Sequence, residues 1–199
     1  KVLVPMSSVQ NSITGPYSTV RRFKYSKRDC YKSCGSDCQA IQFKTVCDIN
    51  LIGIGLFGGG ELKSVSAKIF CLQDGNESER VEIATSTEKS FDTLSKGSLA
   101  PIVFDQSVKI ISNTWYTISI NTSQDVTIIG NCGRNYVTVH GVNFEFRDSK
   151  LSFGTSVHYG QIPEIYFEVP AEMSNDPNSI TVPCSTVRRF ERNAKSDTW

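Results

Sequence analysis

Histidine is scarce in this chain, with two in 199 residues. A nucleophilic serine or cysteine needs a neighbouring base, so hydrolytic chemistry would have to recruit His140 or His158. His140 sits in VTVHGV, at a predicted strand end beside a turn glycine, and His158 precedes Tyr159 in a predicted loop. Neither adjoins the sharp turn that exposes a hydrolase nucleophile. An excess of either charge is missing too. The 21 Lys and Arg against 20 Asp and Glu leave a formal net charge of +1, which gives no general field for nucleic acid or an anionic membrane. The tight basic pairs Arg21-Arg22 and Arg188-Arg189 read as strand residues with solvated arms. No apolar run approaches the roughly eighteen residues of a membrane span, and no charged-then-apolar segment resembles a signal peptide. The chain reads as soluble, and the absence of an initiator Met reads as a piece or processed form of a longer protein. Helical periodicity is absent as well, which sets aside most helix-based chemistry.

What the chain does have is alternation with period two. Ile41 and Phe43 point one way in AIQFKTV, and Val65, Ala67, Ile69 and Cys71 share a face in VSAKIFCL. Similar runs recur at 81–83, 108–111, 115–120, 126–129, 136–139, 142–146 and 165–169. Turn residues follow most of them, and Asp74-Gly75 in LQDGNE is a strong tight-turn signal. About ten or eleven short strands without crossover helices predict an all-β antiparallel two-layer sandwich with little or no helix.

Three features invite a sharper chemistry. Gly53-x-Gly55-x-x-Gly58 matches a dinucleotide fingerprint, but a strand-like segment follows instead of the required helix. It reads as a buried central strand whose glycines admit a bulge or a close neighbour, ending in a Gly58-Gly59-Gly60 turn. Cys30, Cys34 and Cys38 have chelating spacing, yet Cys47 and the distant histidines supply no second zinc knuckle. Seven cysteines in all, at irregular spacings, read as reduced thiols of an intracellular, cytoplasmic protein. The carboxylates Glu145 and Asp148, or Glu164 and Glu168, read as solvent-facing strand partners. No catalytic residue, metal or cofactor is expected.

The chain also repeats itself once. NSITGPYSTVRRF at 11–23 returns as NSITVPCSTVRRF at 178–190, with eleven of thirteen positions identical. The residues between show no halving, and PAEMSNDPNS after Val169 reads as a linker. The expected organisation is therefore a lead-in over 1–17, one sandwich over 18–172 and a tail over 173–199. The tail segment could add as a strand to its own domain or to a neighbour.

The stretch GTSVHYGQIPEIYFEV at 154–169 can be read position by position. Gly154 and Gly160 permit backbone shapes closed to other residues, and Thr155 and Ser156 can tie the loop to its own amides. Pro163 suits the first position of a strand or an edge. These residues closely resemble the signature of the PHR domain, the module named for the PAM/Highwire family of giant ubiquitin ligases and shared with BTB-containing adaptors. Gly154, Thr155, Ser156, Val157, Gly160, Gln161, Ile162, Pro163 and Glu164 carry the match. Upstream, Arg22-Phe23 resembles the domain's opening, and Ile41-x-Phe43 through Gly53-x-Gly55-Leu56-Phe57-Gly58 resembles its next segment. Phe104, Val108, Ile110 and Tyr116-Thr117 follow, with Ser107 where the family has Pro. The cysteine-rich loop from Cys30 to Cys47 has no counterpart.

The resemblance implies a sandwich without a catalytic centre, acting as a recognition module whose parent ligase keeps its RING part elsewhere. The length past the signature fits a PAM/Highwire-type giant better than a BTB protein. Partner proteins, either ubiquitination substrates or ligase co-factors, are expected to bind sandwich-end loops through Phe57, Gly58, Gly59, Gly60, Gly154, Thr155, Ser156, His158, Tyr159 and Gln161. Nucleic acid and membrane partners are not expected. The alternative is a secreted glycan-binding sandwich, with Trp115 and tyrosines for stacking and the sequons at Asn76 and Asn121 in use. A thiol or serine hydrolase is a third reading.

Overall fold

The computed structural model describes residues 17–27, 38–58, 62–91, 94–95, 98–122 and 129–170. Fourteen strands lie among them, and the only helical pieces are two single 3₁₀ turns, Gln73–Gly75 and Glu77–Glu79. One sheet is ordered β1 (Ser18–Arg21), β14 (Glu164–Glu168), β4 (Ile49–Phe57) and β8 (Leu99–Ile110). The larger sheet runs β11 (Tyr136–Val139), β12 (Val142–Asp148), β3 (Gln39–Thr45), β9 (Tyr116–Asn121), β5 (Leu62–Leu72) and β6 (Arg80–Thr85). The short β7 (Lys89–Phe91) also pairs with β5. A third, small sheet at one end joins β13 (Tyr159–Gly160), β10 (Ile129–Gly133) and β2 (Phe23–Lys27). Every pairing is antiparallel.

The alternation explains the layers. Ile41 and Phe43 on β3, Phe144 and Phe146 on β12, Ile118 and Ile120 on β9, and Val65, Ala67 and Ile69 on β5 turn into one core. Ile54, Ile102, Ile165 and Phe167 come from the opposite sheet, and Phe144 meets Phe167 edge-on with centroids 5.0 Å apart. Each of these side chains larger than alanine contributes about 1.5–3 kcal/mol by leaving water.

The glycine-rich strand is central, between β14 and β8, with a register shift between Leu51 and Gly53. A Cβ on Gly53 would lie 2.4 Å from the Ile102 carbonyl oxygen, and one on Gly55 2.6 Å from the Tyr166 hydroxyl. The glycines therefore serve a close neighbour and a bulge, as their context predicts. Gly59 and Gly60 lie outside the described residues. His140 and Gly141, at φ 48° and 79°, form the hairpin turn between β11 and β12, and Asp74 and Gly75, at φ 47° and 73°, turn the chain after β5.

Two expectations are corrected. Arg22 is not a solvated arm: it lies between β1 and β2 with its side chain wholly buried. Glu164 is not solvent-facing either. It is buried, accepting from Arg21 Nε at 2.9 Å and from the Tyr166 hydroxyl at 3.1 Å. Burial of that hydroxyl, with the Glu164 charge beside it, pushes the Tyr166 phenol well above its usual range.

Part of the outer face of the large sheet is covered as well. The 3₁₀ turns place Glu77 over Thr117 of β9, where its carboxylate accepts from the Thr117 hydroxyl at 3.3 Å, the Ser149 hydroxyl and the Lys150 amide at 2.7 Å. Trp115 is half-buried, and both Arg147 (3.9 Å to the ring centroid) and Lys44 (4.9 Å) lie over its ring. Asn76 uses its side-chain oxygen to accept from the Ser78 amide at 3.1 Å.

Candidate functional site

The loop joining β12 to β14, residues 149–163, is shaped by groups that arrive from elsewhere in the chain. Arg22 is the central one. Its Nη1 donates to the carbonyls of Gln161 and Ile162, both at 3.1 Å, and its Nη2 donates to the Ser156 carbonyl at 2.8 Å. The guanidinium also lies 4.8 Å from the Phe23 ring centroid and 5.3 Å from that of Phe146. A buried cation is tolerated when dipoles and ring faces replace its water. Burial pushes the Arg22 pKa down to about 9, with the Asp148 carboxylate acting in the opposite direction. The backbone conforms to the socket: Ile162, a β-branched residue, sits at φ 62°, a strained angle that aims its carbonyl at the arginine.

Thr155 and Gln161 form a second inward network. The Thr155 hydroxyl donates to Gln39 Oε1 at 2.6 Å and accepts from the Gln161 amide at 2.9 Å. Gln39 Nε2 in turn donates to the Phe153 carbonyl. Gln161 Oε1 accepts from the Phe57 amide at 3.0 Å, tying the loop to the end of β4. Asp148 caps the loop from the end of β12 by accepting from the Val157 amide at 2.7 Å. Ser156 accepts from the amides of His158 at 3.2 Å and Tyr159 at 3.3 Å, so the expected ties of Thr155 and Ser156 to loop amides are present.

Glycines outside the signature make room for this packing. A Cβ on Gly133 would fall 1.8 Å from the Val157 carbonyl oxygen, and one on Gly130 2.1 Å from the Phe23 ring. Gly160, at φ 121°, lets the chain pass Thr155.

The residues expected to contact partners therefore fall into two groups. Thr155 and Gln161 are only 5% and 3% exposed, Gly58 is buried, and the first two are committed to internal bonds. Phe57 is half-buried, stacked on Phe23 at 6.2 Å. Gly154, His158 and Tyr159 face solvent, Tyr159 at 51% exposure, with Ser156 between the two groups. Phe153 joins the outer group at 72% exposure. Sequence reasoning missed it because it precedes the signature and because an exposed Phe has no pattern that separates it from a core one. Arg22, Gln39 and Asp148 were missed as loop-builders for another reason: their partners are far off in sequence.

A concavity of roughly 620 Å³ opens between the edges of the two main sheets, with Ile83 and Ala84 of β6 on one side, Phe104 to Lys109 of β8 on the other, and Tyr116 against it. None of the expected contact residues lines it. Of the short-spaced cysteines, Cys30 and Cys34 lie outside the described residues, and Cys38 Sγ is 3.0 Å from the Ser119 hydroxyl. No described helix is long and apolar enough to cross a membrane.

Comparison with known proteins brings in the wider context. The sequence model of the PHR domain matches residues 21–168. Over 168 residues the chain is 33% identical to E3 ubiquitin-protein ligase MYCBP2 of Danio rerio, which covers 82% of this chain and 4% of that protein. Over 156 residues it is 31% identical to E3 ubiquitin-protein ligase highwire of Drosophila melanogaster, covering 72% of this chain and 3% of the relative. BTB/POZ domain-containing protein 6 of Homo sapiens is 31% identical over 133 residues, covering 65% of this chain and 24% of its own length. The chain thus spans a small part of each relative.

Proposed function

This chain belongs to the PHR domain family, and from that premise we propose that it is a non-catalytic protein-recognition module of a large ubiquitin-protein ligase. It binds substrates or ligase co-factors at the sandwich end formed by the 153–161 loop. The observation that carries this reading is the division of labour in that loop. Its buried polar groups turn inward onto Arg22, Gln39, Asp148 and the Phe57 amide, while Phe153, His158 and Tyr159 serve the loop through their backbones and leave their side chains exposed. Large apolar and aromatic groups on a rigid support supply contact area at low ordering cost, which is what an interface centre requires.

The relatives support the same reading. Two are named as ubiquitin ligases and one as a BTB/POZ protein. A domain carried by proteins of such different names is more readily a shared recognition part than the seat of one reaction. The thiols of Cys38, Cys71 and Cys132 fit the reducing cytoplasm in which such a ligase would work.

Capture from cytosol tests the proposal. The intact chain serves as bait beside a Phe153→Ser/His158→Ala/Tyr159→Ala variant and a control, Val81→Ser/Ile83→Ser, on the exposed β6 edge. Components of the ubiquitin pathway retained by wild type and control, but lost from the triple variant at unchanged melting temperature, are the expected result. Equal retention by all three baits would place recognition elsewhere.

A further inference from the structure

The repeated segment acquires a physical meaning once the role of its first copy is visible. Ser18 to Arg21 form β1, pairing Ser18 with Phe167 and Arg21 with Glu164 along β14. Val20 is wholly buried. Arg21 meets Glu164 at 2.9 Å, Arg22 fills the socket of three carbonyls, and Phe23 stacks on Phe57 over the space left by Gly130. Every one of these residues recurs in the second copy, as Val187, Arg188, Arg189 and Phe190. One described position differs: Tyr17, whose ring meets Tyr166 edge-on at 5.4 Å, becomes Cys184. Past Phe23 and Phe190 the two copies diverge, KYSK against ERNA. What is duplicated is the part that fills the groove and socket, not the strand that follows.

We propose that the groove beside β14, with its arginine socket, is a binding site for the sequence Ser-Thr-Val-Arg-Arg-Phe, and that residues 185–190 of the same chain exchange with residues 18–23 for it. The two segments offer the groove the same side chains, and the first copy is favoured by the Tyr17 contact and by its continuation into β2, which pairs with β10. The geometry favours the chain's own tail over a second molecule. β14 ends at Glu168, next to the Phe167 that pairs with Ser18, so the chain leaves the sheet at the mouth of the groove. Residues 169–184 then form a link of sixteen residues, far longer than the turn needed and short enough to hold the tail near roughly millimolar effective concentration. Exchange of this kind presents one free copy of the segment while the socket stays filled. It stands independently of the recognition reading above.

Substitution of the two socket arginines in the intact chain tests it by denaturant unfolding. Arg189→Ala alone should leave stability unchanged. Arg22→Ala should raise the unfolded fraction by at least about tenfold less than the double substitution does, because the tail takes over. The double substitution should raise it on the order of a hundredfold or more, because no arginine remains to donate to the three carbonyls. A synthetic peptide of residues 178–192 should restore the double variant, and the same peptide carrying Arg189→Ala should not. If Arg22→Ala alone is as damaging as the pair, or fails to fold, exchange does not occur. If Arg22→Ala is rescued only as a dimer at raised protein concentration, the occupant is a second copy and the assignment to the chain's own tail is wrong.

Discussion

Arg22 and Glu77 are both buried charges, yet they are stabilised by opposite means. The cation is met by three backbone carbonyls and two aromatic rings, whereas the anion is met by two hydroxyls, one backbone amide and the Gln42 side chain. Carbonyls cannot rotate away from a missing partner, because the path of the loop from Ser156 to Ile162 fixes them. Hydroxyls of Thr117 and Ser149 can turn to another acceptor. The arginine therefore dictates a backbone shape, and the glutamate pins a turn onto a sheet that is already formed. The end of the molecule that carries the 153–161 loop has the less forgiving device.

The sharpest way to break this comparison is to remove both charges in turn. With Arg189 also replaced, so that the tail cannot substitute, Arg22→Ala should lower unfolding free energy by about 3 kcal/mol or more, since three carbonyls lose their donor at about 1–3 kcal/mol each. Glu77→Gln should lose about 1–3 kcal/mol, since its donors keep a partial acceptor. Equilibrium denaturation of both variants reads the difference, and equal losses would erase the distinction drawn between the two sites.

Acid acts on the glutamate. Burial alone would raise the Glu77 pKa, but bonds from Ser149, the Lys150 amide, Gln42 and Thr117 outweigh it and hold the value below the usual 4.5. A carboxyl depressed in the folded state contributes stability that is present above the unfolded value and lost as pH falls through the folded one. Stability should thus decline below about pH 4.5 in the wild type and decline less steeply in Glu77→Gln. Thermal melts between neutral pH and pH 3 measure it, and identical slopes would remove Glu77 from the acid response. The smallest effect belongs to Arg21, whose side chain is largely in water beside Glu164. Arg21→Ala should change stability by about 0–1 kcal/mol.

The parts legible in the sequence were those decided locally. Alternation placed Ile41, Phe43, Val65, Ala67 and Ile69 on core faces, and Gly53 and Gly55 marked a strand that other backbones approach closely. His140-Gly141 and Asp74-Gly75 marked turns because positive φ is a property of one or two residues. Arg22 could not be read in the same way. Its burial depends on carbonyls more than 130 residues away, and nothing in RRF separates the buried arginine from its exposed neighbour. Glu77 was hidden for a similar reason, since the residues that receive it lie on β9 and just after β12. At the loop, the signature string marked the segment that Arg22 and Gln39 shape. It did not separate Thr155 and Gln161, which face inward, from His158 and Tyr159, which face out, because a two-residue strand and a strained Ile162 set that orientation.

The 153–161 loop is a preformed platform, fixed from within by Arg22, Gln39 and Asp148. Amide hydrogen exchange of the free chain at Thr155, Ser156, Val157 and Gln161 measures this directly, since each amide donates inside the loop or to its scaffold: to Ser152 Oγ, the Tyr159 carbonyl, Asp148 and Thr155 Oγ1 respectively. Exchange as slow as that of the core strands β3 and β9 is the predicted result. Exchange at the rate of an unstructured peptide would mean that the loop takes shape only on binding, and would contradict the account.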